Sequence, residues 1–555
     1  MRKVLVFLLC IMVALAVMPM APISAANAIT VDCGSTLRAA THCASGSLYG
    51  ITETKPADIT GLVAPLKPGV FTNPARAGSG YQQPTGAAIP AAGRITGTTG
   101  KVMIRLADIY PGWPYRFTNM TDWLNKVKAV IADKKASGYS NFYGYEIWNE
   151  PNGTWNTSNG TFNNLWKQTY DVIRANDPGA KIIGPSYSYY SRSNMNEFLS
   201  FCKSNNCLPD IVCWHELSGI QNVSNNLKDY RALETSLGIS PIPISINEYC
   251  DADHSLEGQP GSSARYIGKF ERYKVDSACI SWWFTAYPGR LGSLLATDTA
   301  KGAGWYFYKW YGDMTGNMVS VTPPNDASNL VDGAACVDAG AKYVSFIFGG
   351  NNDGTISTTF KNLPSFIGST ASVKVEKVDW TSKDTVSNGP TTISTSNYTV
   401  VNGQITVTLT GCNNSSGYRI YITPGSGSGT ARYEAESASR YSCNIFSSST
   451  CSNGQYIGQI DYSDSYVQFT VNAASSKAYT MTVHYANGGT AASTHNVSVN
   501  GGTASSISYG TTGGWFNAPN NGAMVTKSVN LNAGSNTIKF TKGTNYAEID
   551  YIEIQ

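Results

Sequence analysis

Tyr145-Glu146-Ile147-Trp148-Asn149-Glu150-Pro151 reads as an apolar strand that ends in Asn-Glu and is stopped by proline, which lacks the N–H that a strand ladder needs. A second apolar run, Ile244-Ser245-Ile246-Asn247-Glu248-Tyr249, ends the same way. Around these two, short apolar runs alternate with amphipathic stretches. The runs expected as strands are 48–52, 69–72, 101–107, 143–148, 181–184, 210–214, 242–247 and 279–284. Residues 123–135, 162–175 and 224–237 carry a helical period; the first places Trp123, Val127, Val130 and Ile131 on one face. A doubly wound open sheet shares this local pattern. Eight strands over about 270 residues, with the chemistry placed at strand ends, predict instead an α/β (β/α)8 barrel.

In that barrel Glu150 closes strand four and Glu248 closes strand seven, on the face where barrel active sites are built. Alone, Glu150 has an ordinary reading as a solvated residue in a strand-to-loop turn. Glu248 changes this, because strands four and seven face each other across the mouth. Two carboxyls there can stand ~5–5.5 Å apart, the spacing for cleaving a glycosidic bond with retention. One protonates the glycosidic oxygen while the other attacks the anomeric carbon, so their pKa values must differ. Glu146 shares a strand face with Glu150 and is expected one layer deeper, as a buried polar residue.

At 555 residues the chain exceeds one core. A net charge of +3 is too sparse for a nucleic-acid binder. With 33 Tyr and 12 Trp among abundant Gly, Ser, Thr and Asn, the surface suits neutral, hydroxyl-rich ligands. Arg2 and Lys3 precede an apolar run to about Met18, and Ala26-Asn27-Ala28 offers a cleavage site. Residues 1–28 are therefore expected as a signal peptide, with a secreted product that keeps no membrane anchor. Export fits the cysteines. Expected loop staples are Cys33/Cys43, Cys202/Cys207 and Cys443/Cys451, with Cys336/Cys412 as a further pair. Cys213, Cys250 and Cys279 read as buried thiols.

The barrel is expected over 29–317. From 318 to 423 the pattern is β-branched and alternating, an accessory β-sandwich. Residues 424–430, Gly/Ser-rich, form a linker. Residues 431–555 read as a second β-sandwich or jelly roll.

The two Asn-Glu strand ends resemble those of clan A glycoside hydrolases, most of all family 39, over roughly 46–423. The resemblance implies that Glu150 is the acid/base and Glu248 the nucleophile. Asn149 would hydrogen-bond the sugar's 2-hydroxyl, Arg76 would hold the nucleophile ionised, and His215 would lie beside it. Trp283, or its neighbour Trp282, would form a sugar-stacking floor. Each has a plainer reading: Arg76 in a surface ion pair, His215 as a structural histidine, Trp283 as core. Residues 74–93 match no family motif, and Asp251, Asp253 and His254 read as a polar rim loop rather than a metal cluster.

The last block resembles carbohydrate-binding modules of families 6 and 35. It opens on Tyr433-Glu434-Ala435-Glu436 and closes on Glu548-Ile549-Asp550-Tyr551. If its first and last strands are neighbours, Glu434, Glu436 and Asp550 converge as oxygen ligands for a structural Ca²⁺. Trp515 and Asn545, and less strongly Tyr462, match the sugar-binding positions; the plainer reading of Trp515 is loop packing. The implied protein is a retaining hydrolase of plant cell-wall or gum polysaccharides, β-xylosidase-like or arabinofuranosidase-like, needing no catalytic cofactor. The alternatives are a non-catalytic glycan binder on a decayed barrel, and a transglycosylase using the same residues.

Overall fold

Eight parallel strands close into a barrel: β1 (Gly46–Leu48), β2 (Val70–Pro74), β3 (Lys101–Arg105), β4 (Phe142–Glu146), β5 (Ile182–Tyr187), β6 (Ile211–Glu216), β7 (Ile244–Tyr249) and β8 (Ser277–Ile280). These are the expected strands, shifted at their ends. The computed structural model describes residues 27–281, 288–350, 354–425, 431–473, 476–517 and 520–555. The expected leader, but for its last two residues, lies outside these, as do Trp282, Trp283 and residues 426–430 of the expected linker. Among the described residues no helix is long and apolar enough to cross a membrane.

The helices form where their apolar faces predict. Met120–Ser137 is capped by the Asn119 side chain, ends at Gly138 with φ 70°, and buries Trp123, Val127, Val130 and Ile131. Burying each such side chain contributes roughly 1.5–3 kcal/mol. Inside the barrel, below the mouth, Val70, Met103, Ile183, Ile211, Cys213 and Cys279 fill the lumen. The mouth therefore has a solid floor on which polar groups can be fixed.

The accessory domain is one nine-stranded sheet with its own core of Val319, Val344, Phe346, Val373, Val407 and Ile420. One of its strands corrects the expected boundary. Ala28–Ala39 does not belong to the barrel; it pairs antiparallel with Asn317–Thr322 and parallel with Gly354–Lys361. Ile29, Val31 and Cys33 alternate with period two and point into this second core.

The chain divides into two compact units, Met1–Ile367 with Ala371–Thr423, and Pro424–Gln555 with Gly368–Thr370. The second is built of a six-stranded and a five-stranded sheet. Its first strand, Ala431–Glu434, lies antiparallel to its last, Glu548–Ile554, as the calcium reading required.

All eleven described cysteines are free thiols, which corrects the expected staples. Cys43 lies in a buried polar cluster with Arg38, Glu271 and Tyr311, whereas Cys33 sits in the accessory core. Cys412 contacts the Leu409 carbonyl, and Cys443 the Tyr466 carbonyl. Proximity in sequence did not translate into facing side chains. Cys202 and Cys207 do lie together, the Cys207 N–H donating to the Cys202 carbonyl at 2.9 Å.

Candidate active site

Glu150 stands four residues past the end of β4, at φ 53° and ψ 49°. This left-handed conformation costs a non-glycine residue on the order of 1–2 kcal/mol, and the surroundings hold it there. The Glu150 N–H donates to Ser186 O at 2.8 Å, and its carbonyl accepts from Gly153 N and Thr154 N. Thr154 Oγ1 accepts from Trp148 Nε1 and donates back to the Asn149 carbonyl. Trp148 in turn is wedged edge-on among Tyr115, Trp123 and Trp155. The aromatic core thus fixes the Asn149-Glu150 turn.

Glu248 is the fifth residue of β7 and is fully buried. Its Oε1 accepts from Arg105 Nη1 at 2.8 Å, while Oε2 has no hydrogen-bond partner among the described residues. Arg105 ends β3 and is paired in register with Glu146 on β4. Glu146 grips it through Nε at 2.7 Å and Nη2 at 3.3 Å, and also accepts from Asn247. Glu146 is therefore the deeper layer that aims the guanidinium upward. His215, in register with Glu248, bridges the two carboxyls. Its Nδ1 is 3.1 Å from Glu150 Oε1, and its Nε2 is 3.6 Å from Glu248 Oε1. An oxygen of Glu150 and one of Glu248 lie within 4.8 Å of each other.

The electrostatics follow from this arrangement. Burial pushes the Glu248 carboxyl above its ordinary range, against the pull of His215 and Arg105. Burial acts on Glu150 too, but there the hydrogen bond and charge of His215 prevail and the carboxyl is held low. For His215, burial opposes protonation, yet the Glu248 charge and the Glu150 contact raise its pKa. Both shifts favour the ion pair of ionised Glu150 with protonated His215.

A cavity of about 250 Å³ opens beside these groups, lined by Leu48, Tyr49, Gln82, Gln83, Trp113 and Tyr115 together with Arg105, Asn149 and Glu248. Trp113 donates its Nε1–H to Glu150 Oε2 at 3.1 Å. Asn149 Oδ1 is buried with no partner among the described residues. Asp108 accepts from Tyr49 and Tyr115 at 2.6 and 3.1 Å, and burial raises its carboxyl to about 7.

Glu150, Glu248, Asn149 and His215 are thus brought together. Arg76 is not: it pairs with Asp133 on the surface, and Arg105 holds Glu248 in its place. The chain after β2 carries Arg76 outward, while Arg105 is the last residue of β3 and points over the lumen. A buried arginine ending the apolar run Val102-Met103-Ile104 was the available signal. Gln82 and Gln83 come from the segment that matched no motif.

In the second unit, Phe446, Tyr456, Asp461, Trp515, Asn517, Tyr546 and Glu548 line a cavity of about 300 Å³. Trp515 lies there as expected, its indole over Gly488, where a Cβ would come within 2.6 Å of the ring. Asn545 and Tyr462 do not line it. The Asn545 amide is tied to the Ala492 carbonyl, and Tyr462 points into solvent. Asn517 and Tyr546 line it instead. Glu434 Oε2, Glu436 Oε2 and Asp550 Oδ1 are buried oxygens without hydrogen-bond partners among the described residues.

The profile of the cellulase family (glycosyl hydrolase family 5) matches residues 107–252, a stretch that contains both carboxylates. A 3-O-β-L-arabinopyranosyl-α-L-arabinofuranosidase of Bifidobacterium pseudocatenulatum is 26% identical over 457 residues, 69% of this chain and 46% of its own length. The barrel is thus similar to those of glycosidases. The chain spans about half the length of that curated relative. The solved structure of N2152 from Neocallimastix frontalis is 63% identical, with TM-score 0.71, and covers 72% of this chain and 100% of its own. A family 35 carbohydrate-binding module from Clostridium thermocellum is 32% identical, with TM-score 0.21, and covers 22% of this chain and 97% of its own.

Proposed function

We propose that the protein is a secreted, retaining glycosidase of the family 39 type that releases α-L-arabinofuranosyl units from plant polysaccharides. The observation that carries this is the Glu150–His215–Glu248 arrangement. One oxygen of each carboxyl lies within 4.8 Å of the other's, which fits the ~5–5.5 Å of a retaining pair better than the ~6.5–9.5 Å an inverting enzyme keeps for its water. Glu248 Oε2 has no competing hydrogen bond among the described residues and is the oxygen that attacks the anomeric carbon. Arg105 holds the other oxygen and stabilises the ionised form. The proton resting on His215 passes along the 3.1 Å contact to Glu150, which delivers it to the departing glycosidic oxygen. In the second step Glu150 takes a proton from a water whose oxygen bonds to the anomeric carbon, and the bond from that carbon to Glu248 breaks.

The arabinofuranosidase reading is preferred over a β-xylosidase because of the activity named for the Bifidobacterium relative. Asn149 Oδ1, unpartnered beside the nucleophile, is placed to accept from the sugar's 2-hydroxyl. The leader-like residues 1–28 support export. In the second unit, three orphaned buried oxygens fit a hard cation, so Glu434, Glu436 and Asp550 would hold a structural Ca²⁺. That charge would serve the fold of the second unit. The Trp515 cavity would bind the glycan. Assaying the purified protein on nitrophenyl α-L-arabinofuranoside and β-D-xyloside, beside Glu150→Gln and Glu248→Gln, tests this reading. Near-wild-type turnover by either variant refutes the role given to that carboxyl.

A further inference from the structure

The loop after β7 carries three side chains of metal-binding chemistry that glycoside cleavage does not use: Cys250, His254 and Glu257. One ligand-capable atom of each lies within 4.8 Å of the other two. Cys250 Sγ is 3.0 Å from His254 Nδ1, and His254 Nδ1 is 3.8 Å from Glu257 Oε1. Such separations suit the edges of a tetrahedron whose bonds to a central ion are ~2.0–2.3 Å. Cys250 and Glu257 are buried, and His254 reaches the surface. Neither aspartate of the loop joins them: Asp253 caps the turn through Ser255 N, and Asp251 pairs with Arg265. Ser281 and Ser293 orient the Glu257 carboxyl at 2.7 and 3.1 Å, the outer support that ligating carboxylates carry. Gly258, at φ 72°, passes where a Cβ would stand 2.9 Å from the Ser293 carbonyl oxygen. Only glycine lets the loop close there.

We propose that Cys250, His254 and Glu257 bind one divalent transition-metal ion, with zinc the best fit. A sulfur, a nitrogen and an oxygen suit borderline-soft Zn²⁺; Ca²⁺ and Mg²⁺ take oxygens. On binding, the Cys250 S–H bond gives way to a sulfur–metal bond and the proton leaves to solvent. The ion then ties the loop behind the Glu248 strand to the end of β8 at Ser281 and to Ser293.

The test uses the full chain, stripped with a chelator, returned to calcium-containing buffer and titrated with Co²⁺ alone. One equivalent should bind with a thiolate-to-cobalt charge-transfer band that Zn²⁺ displaces. Cys250→Ser should abolish the band. His254→Asn should weaken binding at least about tenfold, the minimum seen for losing mere outer-shell support. A band that survives Cys250→Ser places the metal on other cysteines, and overturns the proposal. So does binding without any sulfur band, as an ion held by Glu150, His215 and Glu248 would show.

Discussion

Arg105 Nη1 donates to Glu248 Oε1 at 2.8 Å, while Glu248 Oε2 has no hydrogen-bond partner among the described residues. One oxygen is held and the other is free to react. Because Arg105 is itself clamped by Glu146, the direction of this bond is set by strand register. Arg105→Lys keeps the charge but loses the fork that binds both glutamates. The variant should lose about 2–3 kcal/mol of transition-state stabilisation, roughly 30- to 150-fold in kcat/KM. Arg76→Ala, which removes an exposed ion pair worth at most ~1 kcal/mol of stability, should leave kcat/KM unchanged. Steady-state kinetics on a nitrophenyl arabinofuranoside compares the two.

The pH profile should be bell-shaped with a sign fixed at each limb. Activity requires Glu248 ionised, so it falls as pH drops through a carboxyl that burial holds above its ordinary range. It also requires the proton shared by Glu150 and His215, so it falls as pH rises through the raised His215 pKa. His215→Asn removes the proton store, moving the alkaline limb down. It also removes a charge that favours ionised Glu248, moving the acid limb up. The kcat/KM profile of the variant should narrow from both sides; an unchanged width contradicts the bridging role.

How far the sequence carries this site depends on what each residue's signal was. Glu150, Glu248, Asn149 and His215 sit at or beside the ends of apolar strands, and a barrel places such ends on one face. Arg105 also ends a strand, yet its partners Glu146 and Glu248 come from strands 41 and 143 residues away, so only strand register reveals them. Arg76 followed a strand as well, but the chain beyond it turns outward. Residues 29–39 fall within the expected barrel span, but sequence pattern alone does not say which sheet a strand joins. The cysteine pairs failed for a related reason: nearness along the chain says nothing about which core each side chain enters.

Calcium should stabilise the second unit alone. Saturation at about 100 times Kd adds about 2.7 kcal/mol, so chelation should lower one of two calorimetric transitions. Asp550→Asn should abolish the calcium response. Turnover of a small nitrophenyl glycoside should be unaffected.

Trp515→Ala should weaken binding to insoluble arabinan or arabinoxylan by about 1 kcal/mol, roughly fivefold, for one lost aromatic stacking surface. Turnover of the small glycoside should not change. Pull-down isotherms measure the first, and equal affinities would assign Trp515 to loop packing over Gly488.

The central claim is a covalent sugar on Glu248. A nitrophenyl arabinofuranoside needs no acid to lose its leaving group, whereas the second step still needs Glu150 as base. Mixed with Glu150→Gln and quenched early, it should yield protein heavier by one pentosyl group. Peptide mass spectrometry should place that group on Glu248. If wild type turns over the same substrate and the variant carries no adduct, or carries it elsewhere, the account is wrong.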